Sequence, residues 1–521
     1  MLVLLVAVLL AGIGVGRPPA VRSTVYREAI VAPPGPSVLS TLLLPQDPVA
    51  QAVAALTAPG LLVGGWRGQP VPGLAATWRA EDGGRRYAFT LRPGARWSTG
   101  RPVTMGDVAF TLRVLQSPRL ADQGSTSAWT GVRLVVSGPR GGAFVLPGPS
   151  AAFPVAAEAP VLPFRPYGGR PGRYLLAAEA PAGPPPPAAG PFVVARDGVG
   201  AVWLHRNPWA RPRPRLGSVV LVREAGPSAA RTALRRGWVD GWLAATPTGL
   251  GQLPPGLRAH RLTSFAFVAI LLNERAQPLG DIRLRRALAA VVNRAALVRQ
   301  ALGGLGVPQV GPIPVSIGWA QPRPGTLPPV VPAAAQLAAD GWVATRPGAV
   351  RTRGGRPLRL RLTVPDLPPL PAVAATLRRQ FRAAGVALTV QLVPQGTLVA
   401  SVLQPGHFQM ALVGFDNGPD PDVRAFWHSG LPSSRSLDFS GGPPDPVLNR
   451  DLDVAATTPT RSVRAALYGQ VARLLALDAP AIFLYTPVAV YLQRSAVRTP
   501  PLPSVGDPAA RFWAVARWRI G

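Results

Sequence analysis

Residues Leu358 to Leu392 read LRLRLTVPDLPPLPAVAATLRRQFRAAGVALTVQL. Leu358, Leu360, Leu362 and Val364 alternate with Arg359, Arg361 and Thr363, the period-two pattern of a half-buried strand. A proline-rich loop follows, and then Val373, Leu377 and Phe381 recur every fourth residue as the stripe of an amphipathic helix. Gly385 ends the stripe, and glycine is the residue that best tolerates the left-handed conformation after a helix. Val386, Leu388, Val390 and Leu392 resume the alternation. A strand, a helix and a second strand in so short a span predict a βαβ unit, with parallel strands and a right-handed crossover. The fold class that follows is α/β.

Just downstream, Phe408 to Phe415 (FQMALVGF) is almost continuously apolar, as expected of a strand covered on both faces. It runs straight into Asp416-Asn417-Gly418-Pro419-Asp420-Pro421-Asp422. Ligands of open α/β sheets sit beyond the carboxyl ends of the strands, so this loop is the first candidate for a binding group. A solvated turn rich in Asp and Pro is the competing reading. Upstream, Asp281 is a good N-cap for a long helix reaching Gly303-Gly304, along which Leu284, Leu288, Val291, Ala295, Val298 and Leu302 mark one face. Asn293 offers a point at which it restarts as a second helix. Val463, Leu467, Val471 and Leu474 predict a further helix ending at Ala479-Pro480, followed by a strand over Ala481 to Tyr485. Tyr87 to Leu91 reads as a strand of a separate, β-rich region, and Ala180 to Ala189 (APAGPPPPAA) as a linker or loop. No internal repeat is evident.

Composition narrows the function. The 521 residues are 47% apolar, enough for a large core and for more than one domain. There is no Cys, which rules out disulfides, thiolate metal sites and Cys nucleophiles. Lys is absent too, so all 55 basic residues are Arg, and neither a P-loop lysine nor Schiff-base chemistry is available. The four His (His205, His260, His407, His428) are scattered and never at zinc-hydrolase spacing, and no cofactor or metal site is expected. A net charge of +31 suits a polyanion binder. The arginines, however, are spread along the chain with no run of five, which reads better as Arg standing in for Lys throughout; no nucleic-acid partner is expected. Leu2 to Gly16 is uncharged and apolar, and as a helix of fifteen residues it would reach only about 22 Å, short of a hydrocarbon core of about 30 Å. Residues 1–16 are therefore expected to be an export leader removed by cleavage, with a retained anchor or a core strand as alternatives. With no Cys after it, lipid anchoring is not expected.

Several ordered blocks carry a resemblance. They are VPGLAATW (Val71 to Trp78), YAFTLRPGARWSTGRPVTMGDVAFTL (Tyr87 to Leu112), GPFVV (Gly190 to Val194), Arg206-Asn207-Pro208 and ALRRGWVDG (Ala233 to Gly241). Next come Asn273 with DIRLRRALAAVVNRAALV (Asp281 to Val298), AQLAADGW (Ala335 to Trp342) and the Asp-rich loop. From about Val21 to the carboxyl end the chain resembles the peptide/nickel-type solute-binding proteins of ABC importers, the group of dipeptide- and oligopeptide-binding proteins. The resemblance implies a two-lobed, periplasmic-binding-protein-like α/β fold with a smaller β-rich third domain inserted. It places lobe I at 17–60, 190–263 and 488–521, the inserted domain at 61–189, and lobe II at 264–487. It also implies an extracytoplasmic monomer that closes over a small-molecule or peptide ligand, delivers it to a membrane ABC permease and catalyses nothing. A hydrolase on the same scaffold, a polyanion-binding surface protein and a receptor that signals or chaperones are the alternatives.

By the same resemblance, Asp416 is the position that would pair with a ligand amino group, with Asp420 the second choice and Asn417 between them. Where dipeptide-type members resemble one another in carrying an Arg for the ligand carboxylate, the loop Pro365 to Pro371 here has Asp366 and no Arg. That departure points away from dipeptides, and it makes Asp366 a candidate for favouring a cationic ligand; a solvated loop Asp is the competing reading. Trp97, Trp427 and His428 are expected to pack, and His407 to lie at the surface.

Overall fold

The computed structural model describes residues 24–33, 47–121, 127–165, 167, 186–244, 255–329, 331–346, 348–431 and 436–521. The expected leader, 1–16, and most of the expected linker at 180–189 lie outside them. In chain order, β1 is Val25–Val31; β2 to β5 are Ala75–Glu81, Arg86–Leu91, Arg133–Val136 and Gly141–Val145. Then β6 is Phe192–Asp197, β7 Ala201–Arg206, β8 Ser218–Glu224, β9 Gly241–Ala244 and β10 Leu257–Thr263. Last come β11 Ala266–Leu272, β12 Gly306–Pro308, β13 Arg359–Pro365, β14 Ala387–Val393, β15 Met410–Asp416 and β16 Ala481–Arg494.

β2 to β5 make a four-stranded antiparallel sheet in the order β2-β3-β5-β4. It packs on the helix Met105–Leu115, with Trp97 and Trp129 in the core between them. Trp97 is buried and donates from Nε1 to Asp107 Oδ2 at 3.3 Å, which fits the expected packing role.

The other strands join one twelve-stranded sheet in the order β14-β13-β15-β11-β16-β9-β1-β8-β7-β6, with β10 and β12 also on β16. The sequence unit 358–392 forms as read: β13 and β14 are parallel, Arg359 opposite Ala387, and the helix Leu370–Ala383 links them. That helix ends before Gly385, whose φ is +79°. In β11, Val268, Ile270 and Leu272 face a core containing the helices Ile282–Val291 and Leu370–Ala383. Phe267, Ala269 and Leu271 face a second core beneath the helices Pro446–Thr457 and Arg461–Asp478. Strict alternation into two apolar cores is what a sheet covered on both faces requires.

Three sequence readings change in detail. The helix expected from Asp281 to Gly303 is two, Ile282–Val291 and Arg294–Leu302, because Val292 takes an extended backbone. The side chain of Asn293 then accepts from Ala296 N–H at 2.9 Å, capping the second helix. On the helix Arg461–Asp478 the fully buried row is Tyr468, Val471 and Leu475, while Val463 is 45% exposed. The strand after Pro480 does not stop at Tyr485 but runs to Arg494.

Candidate functional site

That long strand defines the site. From Ala481 to Tyr485, β16 pairs with β11, and Tyr485 to Pro487 pair with β12. From Val488 to Arg494 it pairs instead with β10, and with β9 at Val490 to Gln493. One strand therefore leaves one half of the sheet and enters the other. The chain crosses a second time between β10 and β11, at Ser264-Phe265. The crossings touch: Ser264 N–H donates to Pro487 O at 3.0 Å. A pair of adjacent extended crossings is the kind of few-residue connection about which two lobes can close.

Asp416 lies at this junction. As the last residue of β15 it stands opposite Ala266, the first of β11, just past the crossing. The next residue ties the loop to the crossing itself, since Asn417 N–H donates to Phe265 O at 3.2 Å. Asp416 is exposed, and its Oδ1 accepts only a local turn bond, from Gly418 N–H at 3.1 Å. Asn417 Oδ1 is buried without a partner among the described residues.

Asp420 is engaged elsewhere. Both its oxygens are taken by Arg464, Oδ1 from Nη2 at 2.6 Å and Oδ2 from Nη1 at 3.0 Å. Arg464 also donates to Ala455 O at 2.9 Å and lies over the Trp319 and Tyr468 rings. Burial raises the Asp420 carboxyl, and the guanidinium works against that shift. Asp422 is likewise held by Arg424. Asp366 is exposed at the end of β13, at the same carboxyl end of the sheet as Asp416 but one strand away; its N–H donates to Val393 O at 2.8 Å. Trp427 is buried against Phe415 and Phe483, and His428 is buried with Nε2 3.2 Å from Asp453. His407 is exposed.

Two carboxylates that sequence reading did not single out are linked to Asp416 through their charges, Asp507 directly and Glu158 through Asp507. Residues 504–506 clamp the end of β10: Thr263 N–H donates to Ser504 O at 2.9 Å and Gly506 N–H to Thr263 O at 3.0 Å. The next residue, Asp507, caps the short helix Pro508–Phe512 and accepts from Ala510 N–H at 2.9 Å. The crowded protein around it raises its carboxyl, and the charge of Asp416 adds to that. From the antiparallel-sheet region comes Glu158, whose Oε1 is buried with no partner among the described residues. Burial first, and Asp507 second, push its carboxyl up to about 8. That region also abuts the crossing: Gly68 has φ +77°, and a Cβ there would lie 2.2 Å from the Phe265 ring.

Asp507 thus couples to acids from two other parts of the fold, Asp416 and Glu158, in a chain of net charge +31. They do not converge on a point. Among the described residues, no group of three or more His, Cys, Asp or Glu is placed to hold a metal ion. An exposed carboxylate such as Asp416 can accept a charge-assisted hydrogen bond from an ammonium.

A family model for bacterial extracellular solute-binding proteins, family 5 (middle region), matches residues 69–436. Protein XP55 of Streptomyces lividans is 28% identical over 426 residues, covering 79% of this chain and 75% of that protein. Among solved structures, the oligopeptide-binding protein AppA of Bacillus subtilis, in complex with a nonapeptide, superposes with a TM-score of 0.71 at 20% identity. That likeness covers 96% of this chain and 99% of AppA. NikA of Brucella suis, in complex with Fe(III)-EDTA, gives 0.77 at 17% identity, covering 95% and 100%. At such identities these structures establish the fold, and their different ligands show that the fold does not fix the cargo.

Proposed function

The chain belongs to family 5 of the bacterial extracellular solute-binding proteins, and on that premise we propose that it captures a peptide, or another amine-bearing solute, between its two lobes. The observation that carries this reading is the position of Asp416. It is a carboxylate with only a turn bond among the described residues, just beyond the strand crossings, with Asp507 in electrostatic reach. A ligand ammonium there would donate charge-assisted hydrogen bonds to carboxylate oxygens, and such bonds strengthen as closure removes water.

On this reading residues 264–487 form the second lobe, and residues 61–189 are the inserted domain. Support comes from the change of partners in β16 at Pro487 and from the separate sheet β2-β3-β5-β4. Ligand that contacts both lobes binds the closed arrangement better than the open one, and it shifts the population by that difference in affinity. The closed, loaded protein, an exported monomer without catalytic activity, then docks on a membrane ABC permease. Of the sequence candidates, Asp416 is the ligand carboxylate. Asp420 serves its ion pair with Arg464, and Asn417 and Asp366 line the approach.

The test is a thermal-shift series against peptide pools of defined length, each in free-amine and N-acetylated form. Ligand at about 100 times its dissociation constant adds roughly 2.7 kcal/mol. The expected result is a raised melting temperature with a free-amine pool and none with its acetylated counterpart. No response to any pool, or an equal response to both forms, would overturn the amine assignment.

A further inference from the structure

β14 is the outermost strand of the large sheet, and among the described residues nothing pairs with its outer side. Its inner hydrogen bonds fix which residues face outward. Ala387 N–H donates to Leu358 O at 3.0 Å, and Val393 O accepts from Asp366 N–H at 2.8 Å. The odd-numbered residues therefore turn their backbone toward β13. Leu388, Val390 and Leu392 then present N–H and C=O groups to the outside. Natural edge strands are commonly guarded by a charge, a proline or a bulge. β14 (ALTVQLV) has no charge and no proline, pairs with β13 without a register shift, and leaves Leu392 half exposed.

Beside this edge runs a groove of about 440 Å³ lined by Val350, Val386, Leu388 and Thr389, with Arg378 and Arg382 on its helical wall. Both arginines are exposed, and neither pairs with a carboxylate among the described residues. They lie one turn apart on the helix Leu370–Ala383, which places their Cβ atoms about 5–6 Å apart. Residues on one face of an extended strand repeat about every 6.6–6.8 Å. The two spacings match closely enough for two acidic side chains, at alternate positions of an added strand, to reach both guanidinium groups.

We infer that the β14 edge is a docking site for an extended segment of a partner polypeptide that carries acidic residues at alternate positions and joins the sheet as an added strand. Backbone bonds to Leu388, Val390 and Leu392 supply the pairing, and Arg378 and Arg382 supply selectivity. A second copy of this chain is the poorer occupant, because pairing edge to edge would set the same arginines against each other.

The experiment uses the full chain and a fluorescent, N-acetylated peptide of alternating Glu and Val; acetylation removes the amine that the cleft requires. Anisotropy titration is expected to show saturable binding. Arg378→Glu with Arg382→Glu, or Leu392→Pro, should weaken it at least about tenfold, while Asp416→Ala leaves it unchanged. Pro at 392 removes only an outward N–H, so the ladder with β13 is kept. Should Leu392→Pro lower the melting temperature, amide-exchange protection of Leu388, Val390 and Leu392 on adding peptide to the wild-type chain reads the same contact. Equal binding of a peptide with its acids blocked together at one end, or no protection of those amides, would overturn the proposal in favour of general attraction to a basic surface.

Discussion

At the scale of the residue, the site depends on carboxylates in three different electrostatic situations. Asp416 is exposed, and on the proposed function Asp416→Ala is expected to weaken an amine-bearing ligand by about 1.5–3 kcal/mol, the range for a hydrogen bond to a charged group. Asp420 is not free. Asp420→Ala would leave the Arg464 guanidinium buried without its partner, a change that costs about 3–5 kcal/mol of stability. Urea unfolding should show that loss for Asp420→Ala and little loss for Asp416→Ala; the reverse ranking would exchange their roles. Glu158 titrates near 8 when folded against an ordinary 4.5. Between those values the folded chain holds a proton that the unfolded chain has released, so this group's contribution to stability falls as pH rises through the window. The slope should disappear in Glu158→Gln. A cation bound beside Glu158 favours its charged form, so binding at neutral pH should release protons, and calorimetry in buffers of different ionisation enthalpy should find the release reduced in Glu158→Gln. Of these residues only Asp416 and its loop were legible in the sequence, because they follow an apolar strand. Glu158 and Asp507 carry no local signal, being an isolated Glu and an isolated Asp that only the folded chain brings together.

At the scale of the element, legibility followed periodicity. β13, the helix Leu370–Ala383 and β14 could be read because each keeps one apolar period from end to end. β16 could not be read in full. Its residues from Ala481 to Arg494 are buried with few exceptions, and nothing in an apolar run records that the strand changes partners at Pro487. The break at Val292 was visible only as the capping potential of Asn293. Asn293→Ala should cost about 1 kcal/mol, the usual worth of an N-cap side chain, measured as a shift in the urea midpoint at unchanged slope. No shift would mean that the second helix does not depend on that cap.

At the scale of the whole molecule, the two strand crossings, joined by the Ser264–Pro487 hydrogen bond, are the connection about which the proposed lobes would close. The β-rich region also touches the helix Pro446–Thr457, where Ala151 N–H donates to Ala456 O at 2.9 Å. A ligand that binds the closed arrangement better should reduce the radius of gyration in small-angle scattering; an unchanged radius at saturating ligand would count against closure. The net charge of +31 is the whole-molecule property most apt to mislead, for it suggests a polyanion partner while the proposed ligand group, Asp416, is an acid. The most direct test of the central claim is native mass spectrometry of the wild-type chain and Asp416→Ala, each mixed with one peptide library of free and acetylated members. Adducts of free-amine peptides are expected on the wild type, depleted at least about tenfold on the variant. No adduct from any member, or the same adducts at the same occupancy on both proteins, would contradict it.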